Sequence, residues 1–236
     1  MSKLSIIMPV LNEGDGIAAA LDALADLRAL GTELIVVDGG SRDATVQQAQ
    51  LRADQVVLAP RGRALQMNAG AEKASGEVLL FLHADTRLPA EADRVVLNGL
   101  NRSRRAWGRF DVKIEGRSPL LPVVARLMGL RSRLTGIATG DQAIFVHREA
   151  FQAVGGFPAI ALMEDIALCK RLKRLGRPLC LRACVTTSGR RWEKNGVLST
   201  ILLMWRLRLA YFFGADPKDL ARQYGYDRND CHRSAR

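Results

Sequence analysis

Short apolar runs alternate with longer, mixed segments along the first hundred residues. The runs are KLSIIMPV (3–10), ELIVVD (33–38), QVVLAP (55–60) and EVLLFLHA (77–84). They show no apolar/polar alternation, which predicts strands buried on both faces. The segments between them, 15–30, 41–53 and 62–75, predict helices. This order predicts the α/β class, with a mostly parallel central sheet and helices on both faces.

The second half of the chain has a less regular pattern. AWGRFDVKIEG (106–116) and GDQAIFVH (140–147) predict two further strands, and 162–176 predicts a helix. The most apolar segment, 196–214, is interrupted by Arg206 and Arg208, so it is a poor membrane span. Two interpretations stay open for it. It is either a helix at a membrane interface, anchored by aromatic side chains, or a helix that covers the sheet.

Composition and charge narrow the functional classes. The chain has 236 residues and 48% hydrophobic residues, which suits one domain with an appendage. Residues 1–100 carry 9 Lys+Arg and 13 Asp+Glu, whereas residues 101–236 carry 26 and 11. The basic second part predicts an anionic partner, which is a phosphorylated small molecule, a lipid head group or nucleic acid. No basic platform with interleaved aromatic residues is present, which argues against nucleic acid.

The four cysteines, Cys169, Cys180, Cys184 and Cys231, match no zinc spacing. The first residues form no secretory signal, because their apolar run is too short. The expected location is therefore the cytoplasm with reduced thiols, and contact with the inner face of the cell membrane stays open.

Polar residues follow three of the four early strands directly. Asn12 and Glu13 follow the first strand, which contains Pro9; Asp38 ends the second, and Asp85 follows the fourth. Ligands of parallel α/β sheets bind outside the carboxyl ends of the strands, so these side chains are expected to converge. Each also has a plain structural alternative as a turn, a helix entry or a cap.

The expected ligand is a phosphorylated nucleotide, although the chain has neither a Walker loop nor a Gly-x-Gly-x-x-Gly turn. Phosphate charge must then be met in another way. A carboxylate at a strand end can hold Mg²⁺ or Mn²⁺, which bridges phosphate oxygens, and Asp85 suits that role.

Four stretches of the chain together resemble the family 2 inverting glycosyltransferases, which have the glycosyltransferase A-type fold. These stretches are SIIMPVLNEG, VVDGGSRDAT, FLHADT and GGF…MED. The resemblance extends from about Leu4 to Trp192. RGRALQMNAGA and GDQAIFV resemble a small bacterial subgroup, the rSAM/selenodomain-associated transferases. The resemblance implies a transferase domain over 1–192, with a nucleotide-binding half at about 1–103 and an acceptor half at about 104–192. Residues 193–236 would form a helical C-terminal extension.

The resemblance also implies roles for single residues. Asp85 is the last residue of the family's Asp-x-Asp motif and would ligate the metal, while His83 replaces the first Asp and weakens the ribose contact of that position. The other nucleotide-binding residues it implies are Pro9, Asn12, Glu13, Asp38, Arg63, Gln66, Asn68 and Ala84.

Asp165 matches the family's catalytic base, the second residue of Glu164-Asp165. A carboxylate there would take the proton from an acceptor hydroxyl. One base without a nucleophile implies a single displacement and inversion. The structural alternative is an acidic first turn that stabilises a helix.

Arg191 and Trp192 resemble the end of the Gln-x-x-Arg-Trp motif, with Ser188 in place of Gln, which argues against a processive polymerase. Arg191 is expected near the diphosphate and Trp192 near the acceptor or in the core. Asp141, Gln142 and Glu164 are expected to line the acceptor site.

The predicted function is transfer of a sugar from a nucleotide sugar, with UDP as the expected nucleotide, to a hydroxyl acceptor that is soluble or lipid-linked. One alternative is a sugar-1-phosphate nucleotidyltransferase, but it would need a Gly-rich loop with Arg after the first strand. The other is a non-enzymatic protein that binds nucleotide sugars or anionic surfaces.

Overall fold

The computed structural model describes residues 3–226. The strands are β1 (Leu4–Val10), β2 (Glu33–Asp38), β3 (Gln55–Leu58), β4 (Val78–Phe81), β5 (Thr86–Arg87), β6 (Trp107–Glu115), β7 (Phe145–His147) and β8 (Leu179–Ser188). The helices are α1 (Ile17–Asp22), α2 (Ala25–Ala29), α3 (Thr45–Gln50), α4 (Arg63–Lys73), α5 (Ala92–Ser103), α6 (Leu121–Thr135), α7 (Arg148–Ala153), α8 (Glu164–Leu172), α9 (Arg190–Asn195), α10 (Val197–Phe212) and α11 (Pro217–Tyr224), with a 3₁₀ turn at Gly140–Gln142.

One eight-stranded sheet has the order β3-β2-β1-β4-β7-β6-β8-β5. Strands β3, β2, β1 and β4 are parallel neighbours, and β6 is parallel to β8. Strand β7 lies antiparallel between β4 and β6, and the two-residue β5 is antiparallel to β8. The predicted α/β architecture is confirmed.

Strand register brings the early polar clusters to one edge. Val10 at the end of β1 pairs with Asp38 at the end of β2, and Ile7 of β1 pairs with Phe81, the last residue of β4. The loops that follow these three strands therefore leave the sheet side by side.

Each face of the sheet carries its own hydrophobic core. One contains Ile6, Met8 and Val36 with α1, α5 and α6, and the other contains Ile7 and Val37 with α4 and α8. A Cβ at Gly70 of α4 would lie 2.5 Å from Ile7 Cγ2. Glycine at this position allows α4 to pack closely on β1.

A third hydrophobic cluster joins the C-terminal helices to the start of α8. Leu207 of α10 and Leu220 of α11 are buried against Met163 and Ile166, which flank Glu164-Asp165. Asp216 begins α11 as an N-cap, accepting the N–H of Lys218 at 2.8 Å. The C-terminal helices thus pack on the segment that carries the predicted base.

No helix within residues 3–226 is long and apolar enough to cross a membrane. Cys231 and His232 lie outside the described residues, and the predicted extension is described only as far as residue 226.

Three element predictions are wrong in detail. Segment 15–30 forms two short helices rather than one, and α3 begins at Thr45 rather than at Ser41. GDQAIFVH is a strand only at its end. A capping box between Thr139 and Gln142 closes the 3₁₀ turn, and Ala143 has a left-handed φ of 45°. The sequence patterns also missed β8, which has half-exposed and polar positions.

Candidate active site

Backbone hydrogen bonds join the loops that follow β1 and β2. The N–H groups of Asn12, Glu13 and Gly14 donate to Ser41 Oγ, Thr45 Oγ1 and Asp43 Oδ2, each at 2.8 Å. Asn12 Oδ1 in turn accepts the N–H of Arg42 at 2.9 Å. Asn12 also takes a left-handed φ of 53°, which asparagine tolerates better than most residues. The side chain of Asn12 therefore ties one loop to the other.

The side chains of Asp38 and Gln66 also bind backbone groups at the ends of β1 and β2 and in the loop after β2. Asp38 is buried, and its carboxylate accepts the N–H groups of Gly40 and Ser41 at 2.9 and 3.0 Å. Gln66 Nε2 donates to the carbonyls of Val10 and Val37, both at 2.8 Å. The turn interpretation of Asp38 is thus present in the structure, and Gln66 fastens α4 to the ends of β1 and β2.

Asn68 and Pro9, two further residues predicted to bind the nucleotide, have structural roles. Asn68 Nδ2 donates to the carbonyl of Phe157 at 2.8 Å, and Asn68 Oδ1 accepts the Phe157 N–H at 3.0 Å. Pro9 lies within β1, opposite Val37. Of the three predicted residues on α4, Arg63 alone lines the cleft described below, within the described chain.

Two carboxylates follow the neighbouring strands β1 and β4 and lie close enough for their charges to interact. Asp85 is exposed just after β4, and Glu13 is half-buried after β1. Burial raises the pKa of Glu13, and the charges of Asp85 and Asp43 raise it further, whereas Arg190 opposes this. Asp85 does not cap a helix, because α5 begins only at Ala92. The structural alternative for Asp85 as a helix cap is therefore wrong.

The acidic pair suits a divalent cation that is shared with a phosphorylated ligand. Within residues 3–226 no three His, Cys, Asp or Glu side chains are grouped so that they could hold a metal ion alone. In the same part of the chain Asp85 forms no ion pair, and its carboxylate accepts only a long 3.4 Å hydrogen bond from Thr86. Mg²⁺ is commonly bound by one or two carboxylates plus substrate phosphates. Asp85 with Glu13 beside it, next to Ala84 and His83, fits that donor set.

A cleft opens beside His83, which is one of the residues that line it. Its wall combines residues from α4, the 3₁₀ turn, α8, α10 and α11. The charged and polar side chains that line it include Arg63, His83, Asp141, Asp165, Arg208 and Tyr224. Predicted nucleotide-site and acceptor-site residues thus meet in one cleft.

Asp165 is positioned by two backbone groups. Its Oδ2 accepts the N–H of Gly140 at 3.0 Å, and its Oδ1 accepts the N–H of Ile166 at 2.6 Å. The side chain stays half-buried, and it lines the cleft. A carboxylate held in a fixed orientation at the edge of a cleft can accept a proton from a bound hydroxyl group.

Glu164, the preceding residue, is buried. Its Oε1 lies 2.8 Å from Arg63 Nε, and its Oε2 has no hydrogen-bond partner within the described chain. Burial raises the pKa of Glu164, Arg63 opposes this, and the charge of Asp165 adds to it. The ion pair with Glu164 therefore holds Arg63 in the position from which it lines the cleft. Glu164 itself does not line this cleft.

His83 and Asp141 form an ion pair at the mouth of the cleft, with Nδ1 and Oδ1 3.5 Å apart. Burial alone lowers the pKa of His83, but the interaction with Asp141 outweighs it, so the pKa is raised. A Cβ at Gly140 would lie 2.4 Å from His83 Cε1. The 3₁₀ turn needs glycine here because the imidazole packs directly on its backbone.

Arg208 is a site residue that the sequence patterns missed. It lies on α10 within the apolar segment and lines the cleft. It has neither a hydrogen bond nor an ion pair to any residue between 3 and 226, and burial lowers its pKa against the charges of Asp165 and Asp141. The sequence feature that could have indicated this role is the interruption of the apolar segment 196–214 by an arginine. Burial and the nearby Arg208 likewise lower the pKa of Arg131, to about 10.

Arg191, Trp192 and Gln142 do not line the cleft. Arg191 stacks 3.5 Å from the ring centroid of Tyr224 and donates to the Tyr224 carbonyl at 2.6 Å. Trp192 packs against a hydrophobic core. Gln142 is fully buried, and its Oε1 accepts the N–H of Thr139 at 3.3 Å. These three residues support the walls of the site.

Sequence comparison identifies relatives of part of the chain. The family profile described as "Glycosyl transferase family 2" matches residues 5–152. A PGL/p-HBAD biosynthesis glycosyltransferase of Mycobacterium bovis is 38% identical over 96 residues, which cover 38% of this chain and 37% of that protein. The uncharacterized glycosyltransferase YibD of Escherichia coli is 30% identical over 90 residues, covering 36% and 26%. The chain thus matches less than half the length of these relatives.

Solved structures share the fold. TarS residues 1–349 of S. aureus, in complex with UDP-GlcNAc, give a TM-score of 0.65 at 20% identity, covering 79% of this chain and 58% of that one. The mannosyltransferase PcManGT from Pyrobaculum calidifontis, in complex with GDP-Man and Mn²⁺, gives 0.62 at 22% identity, covering 95% and 69%. Glucosyl-3-phosphoglycerate synthase from Mycobacterium tuberculosis, with Mg²⁺ and UDP, gives 0.57 at 21%, covering 79% and 70%. These likenesses confirm the predicted glycosyltransferase A-type fold.

Proposed function

The chain belongs to glycosyl transferase family 2, and we propose that it is a metal-dependent, inverting glycosyltransferase that moves a sugar from a nucleotide sugar to a hydroxyl acceptor. UDP-sugar is the proposed donor. The observation that carries the proposal is the position of Asp165, oriented by the N–H of Gly140 in a cleft that also holds Arg63 and His83. Asp85 and Glu13 follow the neighbouring strands β4 and β1, and both lie close enough to His83 for their charges to interact with it.

The proposed reaction is a single displacement. The acceptor hydroxyl gives its proton to Asp165, and its oxygen forms a bond to the anomeric carbon of the sugar. The bond between that carbon and the diphosphate oxygen breaks, and the diphosphate leaves with the electron pair. Attack opposite the leaving group inverts the anomeric configuration. Within the described chain the two carboxylates nearest in role to Asp165 are already paired, Asp141 with His83 and Glu164 with Arg63, so neither is assigned as a nucleophile.

Negative charge develops on the leaving diphosphate, and residues of this chain are placed to stabilise it. Asp85, with Glu13 beside it, would hold Mn²⁺ or Mg²⁺. When bound, the ion supplies neutralisation of the diphosphate charge. The neighbours crystallised with GDP-Man and Mn²⁺, or with Mg²⁺ and UDP, support this choice of cofactor. Arg63, aimed by Glu164, contributes a fixed positive charge from the opposite wall.

The nucleotide is proposed to lie on the loops after β1 and β2, between Pro9 and Asp85. The side chains of Asn12, Asp38, Gln66 and Asn68 are engaged in the hydrogen bonds that shape this surface. Their proposed contribution is therefore to hold the loop backbone in place for the donor, and Ala84, beside Asp85, is proposed to border the donor as well. The direct charged contacts are assigned to Glu13, Asp85 and Arg63.

The acceptor is proposed to enter beside Asp141 and Arg208. These two side chains and Asp165 line the cleft together, so a hydroxyl group near Asp165 would have a cation on its other side. The exposed apolar side chains of α10 favour a lipid-linked acceptor. The proposed location is the cytoplasm, where thiols such as those of Cys169, Cys180 and Cys184 stay reduced.

The experiment that tests donor binding is thermal unfolding with UDP, GDP, dTDP or CDP, each with and without Mn²⁺. A ligand at 100 times its Kd stabilises the fold by about 2.7 kcal/mol, which is readily measured. One nucleotide should stabilise the protein with metal, and Asp85→Ala should abolish the metal-dependent part. Asp26→Ala, which replaces an exposed carboxylate on α2, is the matched control.

Stabilisation by no nucleotide, or the same metal-dependent stabilisation in the Asp85→Ala protein, would contradict the proposed donor site. Nucleotide binding without any release of nucleoside diphosphate from the matching nucleotide sugar would instead favour a binding protein.

A further inference from the structure

Helices α6 and α10 expose two rows of large apolar side chains. On α10 the row is Leu198, Leu202, Trp205, Leu209 and Phe212, and along α6 it is Leu120, Val123, Leu127, Leu130 and Leu134. Successive members are three or four residues apart, so each row follows one face of its helix. The ten side chains with Phe213 are called the apolar face. Their exposed fractions range from 42% to 76%.

Arg131 of α6 lies close enough to Arg208 of α10 for the two charges to interact, so the helices approach each other there. Val197 and Ile201 of α10 pack in the same hydrophobic core as Leu121, Val124 and Met128 of α6. Each helix therefore buries one side against this core and turns its apolar row outward. Single exposed apolar residues are normal, but a set of this size on two helices that pack on the same core is typical of an interaction surface.

The charges of these helices identify the occupant. Helices α6 and α10 together contain five arginines and no Asp or Glu. Arg126 and Arg206 are exposed beside the two rows, and Arg117 and Lys194 are exposed just before the helices. Two copies packed through this face would bring like charges together, which is unfavourable. A membrane that contains anionic lipids supplies both acyl chains and negative charge.

The aromatic residues and the helix length agree with a surface position. Trp205 is 66% exposed and Phe212 is 73% exposed, and aromatic side chains of this kind anchor proteins at the level of the lipid headgroups. Helix α10 has 16 residues, which gives a length of about 24 Å, less than the ~30 Å hydrocarbon core. A helix of this length is too short to cross the hydrocarbon core, so it fits a position along the interface better than one across it.

We propose that the apolar face docks the protein on an anionic membrane surface, with α6 and α10 lying in the headgroup region. The other side of α10 carries Met204 and Arg208, which line the cleft. Docking therefore holds the cleft close to the lipid surface. Vesicle binding needs no donor or catalysis, so it is tested independently of the proposed transferase reaction.

The test is flotation of the full chain with two kinds of vesicles, phosphatidylcholine alone and phosphatidylcholine with a third of phosphatidylglycerol. The wild type should float with the anionic vesicles, and high salt should weaken this binding. Leu202→Ser/Trp205→Ser/Phe212→Ser should reduce binding by about tenfold or more, because it removes the inserted apolar groups. Its thermal midpoint should stay unchanged, since the three side chains are exposed.

The chain offers a matched control. Leu30, Leu51 and Leu58 are exposed to 65%, 77% and 72% and lie outside α6 and α10. Leu30→Ser/Leu51→Ser/Leu58→Ser removes a comparable number of exposed apolar groups and should leave vesicle binding unchanged. In addition, lipids with brominated acyl chains should quench tryptophan fluorescence in the wild type, and Trp205→Phe should remove this quenching while the protein still binds.

Three results would overturn the proposal. The first is absence of binding to anionic vesicles, and the second is equal loss of binding in both triple variants. The third is self-association of the wild type in sedimentation equilibrium that the Leu202/Trp205/Phe212 variant abolishes, which would assign the face to a second copy. Nucleotide-dependent stabilisation, measured on the same proteins, shows separately whether the donor site is intact.

Discussion

The backbone N–H of Gly140 donates a hydrogen bond to Asp165 Oδ2 at 3.0 Å, which joins the 3₁₀ turn to the first turn of α8. The same glycine allows His83 to pack against this turn, because any side chain would collide with the imidazole. One backbone position thus orients the proposed base and locates His83, which lines the cleft and interacts with the charges of Glu13 and Asp85.

Replacement of the proposed base tests the reaction. Asp165→Asn keeps the shape of the side chain but cannot take a proton from the acceptor, so turnover should fall by about 10²–10⁴-fold. Affinity for the nucleotide should not change. The measurement is release of nucleoside diphosphate from the nucleotide sugar, with Asp15→Asn, an exposed carboxylate, as control. Equal turnover in the wild type and Asp165→Asn would remove Asp165 from this role.

Gly140→Ala should damage the site by steric conflict. The new Cβ would lie 2.4 Å from His83 Cε1 and 2.5 Å from Nε2, so His83 or the turn must move. Overpacking of this kind costs about 1–3 kcal/mol of unfolding free energy, measured by urea denaturation. Turnover should fall as well, because the hydrogen bond to Asp165 depends on the turn.

Gly16→Ala is the control, since no atom lies within 4 Å of its added Cβ and its φ is −125°. If both glycine variants behaved alike, the close packing of His83 on Gly140 would not matter.

Arg208→Met should stabilise the protein and impair its activity. Arg208 is largely removed from water without an ion-pair partner among residues 3–226, and unpaired charge costs free energy when it is buried. We expect the thermal midpoint to rise by about 2–4 °C, which corresponds to about 1 kcal/mol for a chain of this size. Arg206→Met, an exposed arginine two residues away, should leave the midpoint unchanged. A lower midpoint in Arg208→Met would show that the guanidinium stabilises the fold.

The ion pairs of Asp111 predict a pH dependence of stability. Burial alone would raise the pKa of Asp111, but hydrogen bonds from Arg133 and from the fully buried Arg109 lower it below its ordinary value of 3.8. A lowered pKa means that the carboxylate stabilises the fold above that ordinary value, and that this contribution disappears as the pH falls through the folded-state pKa. Asp111→Asn should therefore cost about 3 kcal/mol at neutral pH, because Arg109 loses its charged partner.

Urea denaturation at several pH values is the measurement. The wild type should lose stability below about pH 4 more steeply than Asp111→Asn does. Glu91→Gln breaks an exposed pair with Arg94 and should change stability by less than about 0.5 kcal/mol. A parallel pH profile in the wild type and Asp111→Asn would contradict the assignment.

Much of the fold was predictable because strands β1, β2 and β4 are mostly apolar and almost entirely buried. Their carboxyl ends also indicated where the polar residues meet. Strand β8 escaped prediction because Arg182 and several polar residues give it no regular apolar pattern, and its place is set by pairing with β6.

The sequence indicated which residues lie near the candidate site better than it indicated what each of them does there. Polar residues on one helix look alike in a sequence, yet Arg63 lines the cleft whereas Gln66 and Asn68 bind backbone of β1, β2 and the Phe157 loop. Only the tertiary fold decides which side chain is free to bind a ligand. Arg208 was missed because its contact with the cleft depends on how α10 packs against α8.

The wall that α10 and α11 contribute has a consequence for how such an enzyme could change its specificity. The family match ends at residue 152, before Asp165, Arg208 and Tyr224. The strand-end side of the cleft is thus made from the shared segment, and the opposite wall comes from the chain beyond it. Exchange of α10 and α11 for those of another family member would replace the part of that wall that holds Arg208 and Tyr224 and would leave the proposed donor side intact. On the proposed function, the molecule would then be divisible into a common part that delivers the sugar and an interchangeable part that helps to receive it.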